Sequence, residues 1–273
     1  MPLGDFVDRV IDIIELIADE PAGMAVSEIA RRLDIPKSAA HRLLNALTNR
    51  GFAIQDDASQ RYRLTVKLAA VGFRVLAASG TSDICQPSLD RLAARTGELV
   101  RLALVEGDAL LWIAKSQGSL SGLRYDPDLG QAVVLHATAT GKAWLATLEA
   151  ERAVALVKAR GFVVPARFGK PVVRDEASLR DELDRTRRRG YGISIEEGEP
   201  GTCAIAQAIC IGPERIAVGT VSIAGPAARI TPERMKEFAP DLAATVSEIA
   251  DLWPSRRFLD FVTGGGARRL ARG

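Results

Sequence analysis

The stretch VSEIARRLDIPKSAAHRLLNALTNRGF, Val26 to Phe52, decides how this chain is read. In its second half, Ala40, Leu43, Leu44 and Leu47 recur at the three- and four-residue spacing that puts them on one face of a helix. Ser38, His41, Arg42, Asn45 and Asn49 then share the opposite face with no apolar interruption. Those are donors and acceptors that suit phosphates and base edges. Pro36 can start the helix, because its missing N–H would be unpaired there anyway. Gly51 suits the left-handed position that often closes one. Lys37 and Ser38 stand at the N-terminal end, where free N–H groups and the helix dipole favour phosphate. Upstream, Ser27 is expected to cap a short helix from Glu28 to Leu33, and Asp34-Ile35 turns the chain. Short helix, tight turn and polar, basic helix form the helix-turn-helix order, with the second helix as reader.

Working outward, Phe6 to Ala18 is expected to be a first helix, with Val7, Val10, Ile11, Ile14 and Ile17 on its apolar side. After Gly51 the period changes. Phe52–Ile54 and Tyr62–Leu64 predict two short strands around a polar turn, a small wing. Arg61 and Arg63 on that wing would meet backbone phosphates. Arg42 and Asn45 are the best placed for base contacts, and Lys37, Arg61 and Arg63 for phosphates, which position without reading sequence. His41 would do either or face water. Thr65 to Ala78 predicts a linking helix closed by Gly80. Whole-chain charge is only +2, but Pro36 to Arg74 carries a local excess of Lys and Arg over Asp and Glu, which attracts a polyanion.

Three cysteines, Cys85, Cys203 and Cys210, without CxxC spacing argue against a disulfide framework and for a reducing cytoplasm. The acidic start MPLGDFVDRV is not a signal peptide, and no apolar run reaches the roughly 18 residues that span a bilayer. Downstream, helices are expected at Ser82–Thr96, Gly141–Leu148, Glu151–Arg160, Ser178–Arg189 and from Thr231 to near Trp253. Strands are expected at Glu98–Leu104, Ala109–Ala114, Gly122–Tyr125, Tyr191–Ile195, Thr202–Ile211 and Arg215–Ala224. That mixture is an α+β pattern. The Gly- and Arg-rich residues after Pro254 read as a disordered tail.

Phe6 to Leu64 resembles the winged domain of the isocitrate-lyase-regulator (IclR) family, on the residues quoted above followed by YRLTVKLAAVG, Tyr62 to Gly72. The second half resembles that family's effector domain in three segments. These are LHATATGKAWLA (Leu135–Ala146), RRRGYGISIEEGEPGTCAIAQAI (Arg187–Ile209) and VGTVSIAGPAARIT (Val218–Thr231). The resemblance implies a winged helix-turn-helix over 1–65, a linker helix over 66–80 and a GAF-like effector-binding domain over 81–253. That domain would be a curved sheet flanked by helices, with the tail over 254–273. It also implies a homodimer or dimer of dimers on near-palindromic double-stranded DNA, controlled by a small-molecule effector, with no cofactor and no membrane.

For the effector site, the resemblance matches Cys203 and Ser222 to pocket positions. Ser194 and Ala224 stand where some members carry more polar residues, which would make this pocket less polar. Leu123 and Tyr125, with Trp112, lie in the stretch that closes the family's pocket. They would favour a larger or aromatic acid, or simply pack in the core. N–H groups near Ala139 and Thr140 would meet an anion where a helix starts, or the segment is a plain helix entry with Thr138 or Thr140 as its cap. Without the resemblance, Cys203 reads as a small buried hydrophobe.

Two other classes compete with a regulator. Cys203 with His136 would make a nucleophile and base, but nothing marks a third, orienting group. Glu196 and Glu197, adjacent on an expected strand, would point to opposite faces. His136, Cys203 and Cys210 lack compact metal-ligand spacing, so no catalytic or metal residue is named. A small-molecule-binding or protein-interaction module whose winged domain does not touch DNA would not require a basic reader helix and wing.

Overall fold

A computed structural model of the chain describes residues 3–79, 81–120, 122–127, 133–166 and 168–253. The expected tail after Pro254 and the closing role of Gly80 lie outside these residues. The chain divides into two compact units, Met1–Ala78 and Ser79–Gly273.

The first unit holds α1 (Leu3–Ala18), β1 (Met24–Ala25), α2 (Val26–Arg32), α3 (Lys37–Asn49), β2 (Ala53–Gln55), β3 (Arg61–Leu64) and α4 (Val66–Ser79). Ile13 and Ile17 of α1, Ile29 of α2 and Leu43 and Leu44 of α3 close on Tyr62 of β3 in one core. The wing is three-stranded, in the order β1-β3-β2. The unexpected strand β1 also corrects the start of α2. Ala25 pairs with Arg61 of β3, so the helix begins directly from the strand at Val26. Its cap, Ala25, makes no side-chain hydrogen bond, and Ser27 lies inside the first turn. Gly51 adopts φ +71° and its N–H donates to the Thr48 carbonyl at 2.9 Å. A side chain would be strained there. Along α4, Val66, Phe73 and Val75 stay exposed.

The second unit runs α5 (Thr81–Thr96), β4 (Leu99–Glu106), β5 (Ala109–Gln117), α6 (Ala139–Leu145), α7 (Ala150–Arg160), α8 (Glu176–Arg189), β6 (Gly192–Ile195), β7 (Thr202–Ile211), β8 (Ile216–Pro226) and α9 (Pro232–Leu252). Its strands form one antiparallel sheet, β5-β4-β8-β7-β6. Leu89 of α5 and Leu242 of α9 pack with Val100, Ile205 and Ile223 on one sheet face. Trp144 of α6, Val154 of α7 and Leu183 of α8 pack with Ala103 and Trp112 on the other. Two-sided burial explains why β4 lacks the alternation of a half-exposed strand.

Two expectations fail here for identifiable reasons. Gly122–Tyr125 is not a strand, because side chains rather than a ladder satisfy its backbone. Arg229 Nη1 donates to the Leu123 carbonyl at 2.6 Å, Gln117 Nε2 to the Tyr125 carbonyl at 2.9 Å and Lys115 Nζ to the Pro127 carbonyl at 3.1 Å. Glu196 and Glu197 do not lie on a strand either. β6 ends at Ile195 and Glu196 turns at φ +55°, leaving Glu196 exposed and Glu197 buried.

Candidate DNA-reading surface and ligand cavity

On α3, Ala40, Leu43, Leu44 and Leu47 are buried. Lys37, Ser38, His41, Arg42 and Asn45 are all exposed on the other side. Asn45 Nδ2 lies 3.3 Å from His41 Nδ1, one helical turn away. Among the described residues neither Lys37 nor Arg42 is held in an ion pair, so both charges are open to an outside partner. The two wing arginines differ. Arg61 Nε donates to the Gly23 carbonyl at 2.9 Å and its guanidinium faces Glu28 at 3.9 Å. Arg63 is exposed and faces Asp56 at 3.6 Å. Arg61 is therefore partly committed to its own unit, a tie across 38 positions of sequence that strand periodicity does not reveal.

The second unit contains a cavity of about 240 Å³ on the face of the sheet that carries α6. Six of the eight expected effector residues are in its wall, namely Tyr125, Ala139, Thr140, Ser194, Cys203 and Ala224. Leu123 and Ser222 are not in that wall. Arg229 holds the Leu123 carbonyl, and the side chain turns outward at 70% exposure. Ser222 points to the cavity's side of the sheet, but it is buried beside Arg101, its cross-strand partner, which takes the wall position.

Local packing sets the remaining wall. Thr138 caps α6, its hydroxyl accepting from the Gly141 N–H at 3.0 Å. A Cβ on Gly141 would stand 2.2 Å from the Leu135 carbonyl oxygen, and one on Gly192 would stand 2.3 Å from that of Ala139. Only glycine lets α6 approach β6 so closely. Ser194 accepts from the Gly198 N–H at 3.3 Å, which draws the loop after β6 over the cavity. Below α6 lies a buried ion pair. Lys142 Nζ meets Glu197 Oε1 at 2.6 Å with both side chains almost wholly covered. Lys142 Nζ also donates to the Ile193 carbonyl, and Glu197 Oε2 accepts from the Val172 N–H.

The Cys203 thiol is pushed up by burial, with the Glu196 backbone opposing. That is the wrong direction for a nucleophile. His136 is turned to the Phe162 carbonyl, 3.2 Å from Nε2, and burial holds its pKa below the ordinary value of 6.5. No group of three His, Cys, Asp or Glu among the described residues is arranged to hold a metal.

Arg101 is the wall residue that sequence analysis missed. It is 6% exposed, with Cζ 4.0 Å from the centre of the Trp112 ring and 5.5 Å from that of Tyr125. Burial pushes its pKa down, while Tyr125 and then Glu199 act the other way. One signal for it existed. It is the lone charge inside the apolar run LVRLALV, Leu99 to Val105, and a charge within a doubly covered strand calls for a partner.

The chain resembles known proteins over nearly its whole length. The family model for the C-terminal domain of the bacterial transcriptional regulator IclR matches residues 73–251, and the IclR helix-turn-helix model matches residues 6–57. The HTH-type transcriptional regulator BhcR of Paracoccus denitrificans is 31% identical over 247 residues, covering 89% of this chain and 85% of that one. The crystal structure of Thermotoga maritima IclR superposes with a TM-score of 0.68 at 29% identity, covering 90% of this chain and 98% of that one. An IclR homologue from Microbacterium hydrocarbonoxydans, solved in complex with 4-hydroxybenzoate, superposes with a TM-score of 0.71 at 21% identity, covering 91% and 98%.

Proposed function

The chain belongs to the IclR family of bacterial transcriptional regulators, and from that membership we propose that it is a cytoplasmic homodimer or dimer of dimers whose occupancy of a near-palindromic operator is set by a small organic acid. α3 enters the major groove. Arg42 and Asn45 read base edges, Lys37, Ser38 and Arg63 contact phosphates, and His41 supports Asn45. Arg61 mainly braces the wing. The exposed apolar residues of α4 contribute to the contact between copies, and two reader helices then meet successive grooves. The acid occupies the cavity of the second unit, among Tyr125, Ala139, Thr140, Ser194, Cys203 and Ala224. It acts by binding one arrangement of the protein better than another.

One observation carries this reading. A reader face with unspent charge and a partly open cavity of about 240 Å³ occur in separate compact units of one chain. Gel-shift titration of promoter DNA over a salt series tests the first half, because phosphate contacts make affinity fall steeply with salt. Ala224→Phe, which fills the cavity, tests the second half. It should leave DNA affinity intact and abolish the response to any acid that releases the wild-type protein. Salt-insensitive retention, or an unchanged response in Ala224→Phe, would refute the corresponding half.

A further inference from the structure

Four buried polar atoms without hydrogen-bond partners cluster on one face of the sheet of the second unit. They are Arg101 Nε, Trp112 Nε1, Thr220 Oγ1 and Ser222 Oγ. Register explains the clustering. Arg101 lies directly opposite Ser222 of β8, while Ala103, two residues on, lies opposite both Trp112 of β5 and Thr220 of β8. Directly opposed residues share a face, and Arg101 and Trp112 are in the cavity wall. Buried polar groups are almost always bonded, so such a cluster beside a cavity calls for a polar occupant.

The charge balance names the sign of that occupant. An arginine does not discharge at neutral pH, and a buried, unpaired cation is costly. The neighbouring cation, Lys115, is already paired with Asp126 at 2.6 Å. Arg101 has no such pair among the described residues. Glu199 lines the same cavity and acts on both Arg101 and Tyr125, but it forms no ion pair with the guanidinium. It sits on the loop between β6 and β7, is only partly buried and hydrogen-bonds Tyr125, so a ligand carboxylate that meets Arg101 competes with it for the same positive charge. Trp112, Tyr125 and Phe168 supply flat apolar walls. The cavity is smaller than the ~300–1,000 Å³ usual for drug-sized ligands.

We infer that Arg101 anchors the carboxylate of a single-ring aromatic monoanion and that Glu199 is the internal counter-charge which this carboxylate displaces. The inference rests on the ligand-sensing reading above and adds to it the anchoring residue and the charge of the ligand. Arginine offers a planar fork that matches a carboxylate with two parallel hydrogen bonds. The ligand's ring lies against Trp112, Tyr125 and Phe168, whose faces select a flat body over a branched aliphatic one.

The test is titration calorimetry on the full chain with benzoate and its hydroxy- and methyl-substituted forms, each beside its primary amide. At least one acid should bind, and its amide, equal in shape but uncharged, should bind at least roughly tenfold more weakly. Arg101→Met should weaken the acid roughly 10- to 100-fold. Arg101→Lys should fall between, keeping the charge but losing the fork. Glu199→Gln should tighten the acid several-fold. Circular dichroism and retained DNA binding establish that each variant is folded, and the comparison of acid with amide needs no variant at all.

Equal binding of acid and amide, undiminished binding to folded Arg101→Met, or no binding by any acid of the series would each overturn the inference. If a neutral or aliphatic compound instead releases the protein from DNA, this inference fails while ligand control stands. If an acid binds through Arg101 without altering DNA occupancy, this inference stands and ligand control fails.

Discussion

The reader face of α3 and the wall of the cavity hold similar side chains under opposite conditions. On α3, Lys37 and Arg42 stand in water, where an unpaired charge costs little and remains available to a polyanion. In the second unit, Arg101 and Lys142 are buried, where each charge needs an answering group. Lys142 has one in Glu197 at 2.6 Å, whereas Arg101 has Tyr125 beside it but no ion pair among the described residues. The difference teaches that an exposed cation marks a surface for a partner much larger than itself, whereas a buried cation marks either a finished structural joint or a site for something small.

The largest effect should come from breaking the finished joint. Lys142→Met leaves Glu197 charged and unpaired, and should destabilise the protein by about 3–5 kcal/mol in urea unfolding. Lys142→Met combined with Glu197→Gln should recover most of that loss, since Gln still accepts from the Val172 N–H. If the single and double variants are equally unstable, the pair is not a coupled unit.

Next in size, Arg42→Ala should cost about 1–3 kcal/mol of operator affinity while changing stability by less than about 0.5 kcal/mol, because it removes an exposed group. A stability loss as large as the affinity loss would mean that Arg42 is structural. Smaller again, Arg63→Ala should reduce the dependence of log affinity on log salt by about one. Arg61→Ala should change that slope less and lower stability, since its guanidinium is tied to Gly23 and Glu28. Equal slopes for the two variants would contradict the different commitments seen on the wing.

The smallest effect concerns pH. Burial holds His136 below its ordinary value, so the unfolded chain takes up the proton first as pH falls. Stability should therefore be full above pH 6.5, the ordinary value, and decline as pH drops below it toward the depressed folded value. His136→Gln should flatten that part of the profile between about pH 7.5 and 5.5. An unchanged slope would show that other groups carry it.

Legibility in the sequence followed the range of the interactions. α3 was read almost residue for residue, because a helix shows its two faces through spacing of three and four, and both the core and the reader residues lie within fourteen positions. The strands of the second unit were located by apolar runs and turn residues. The segment Gly122–Tyr125 is not the expected strand, because the Leu123 and Tyr125 carbonyls are taken by the side chains of Arg229 and Gln117, which no local pattern announces. Leu123 and Ser222 were assigned to the pocket by correspondence with a family. Leu123 is instead exposed, with its carbonyl held by Arg229, and Ser222 is buried behind Arg101, its cross-strand partner.

By itself, then, the sequence determined what depends on neighbours along the chain. That includes the helix-turn-helix, the identity of its exposed face, the two longer strands of the wing, the order of the longer strands and helices downstream and the capping of α6 by one of two threonines. Only the tertiary structure decided which charges are spent. Arg61 against Gly23, Lys142 against Glu197, and Arg101 between Trp112 and Tyr125 are all joined across long separations. Whether a cation is satisfied depends on burial and on what stands within a few ångströms of it, and both are settled by how strands pair and helices pack.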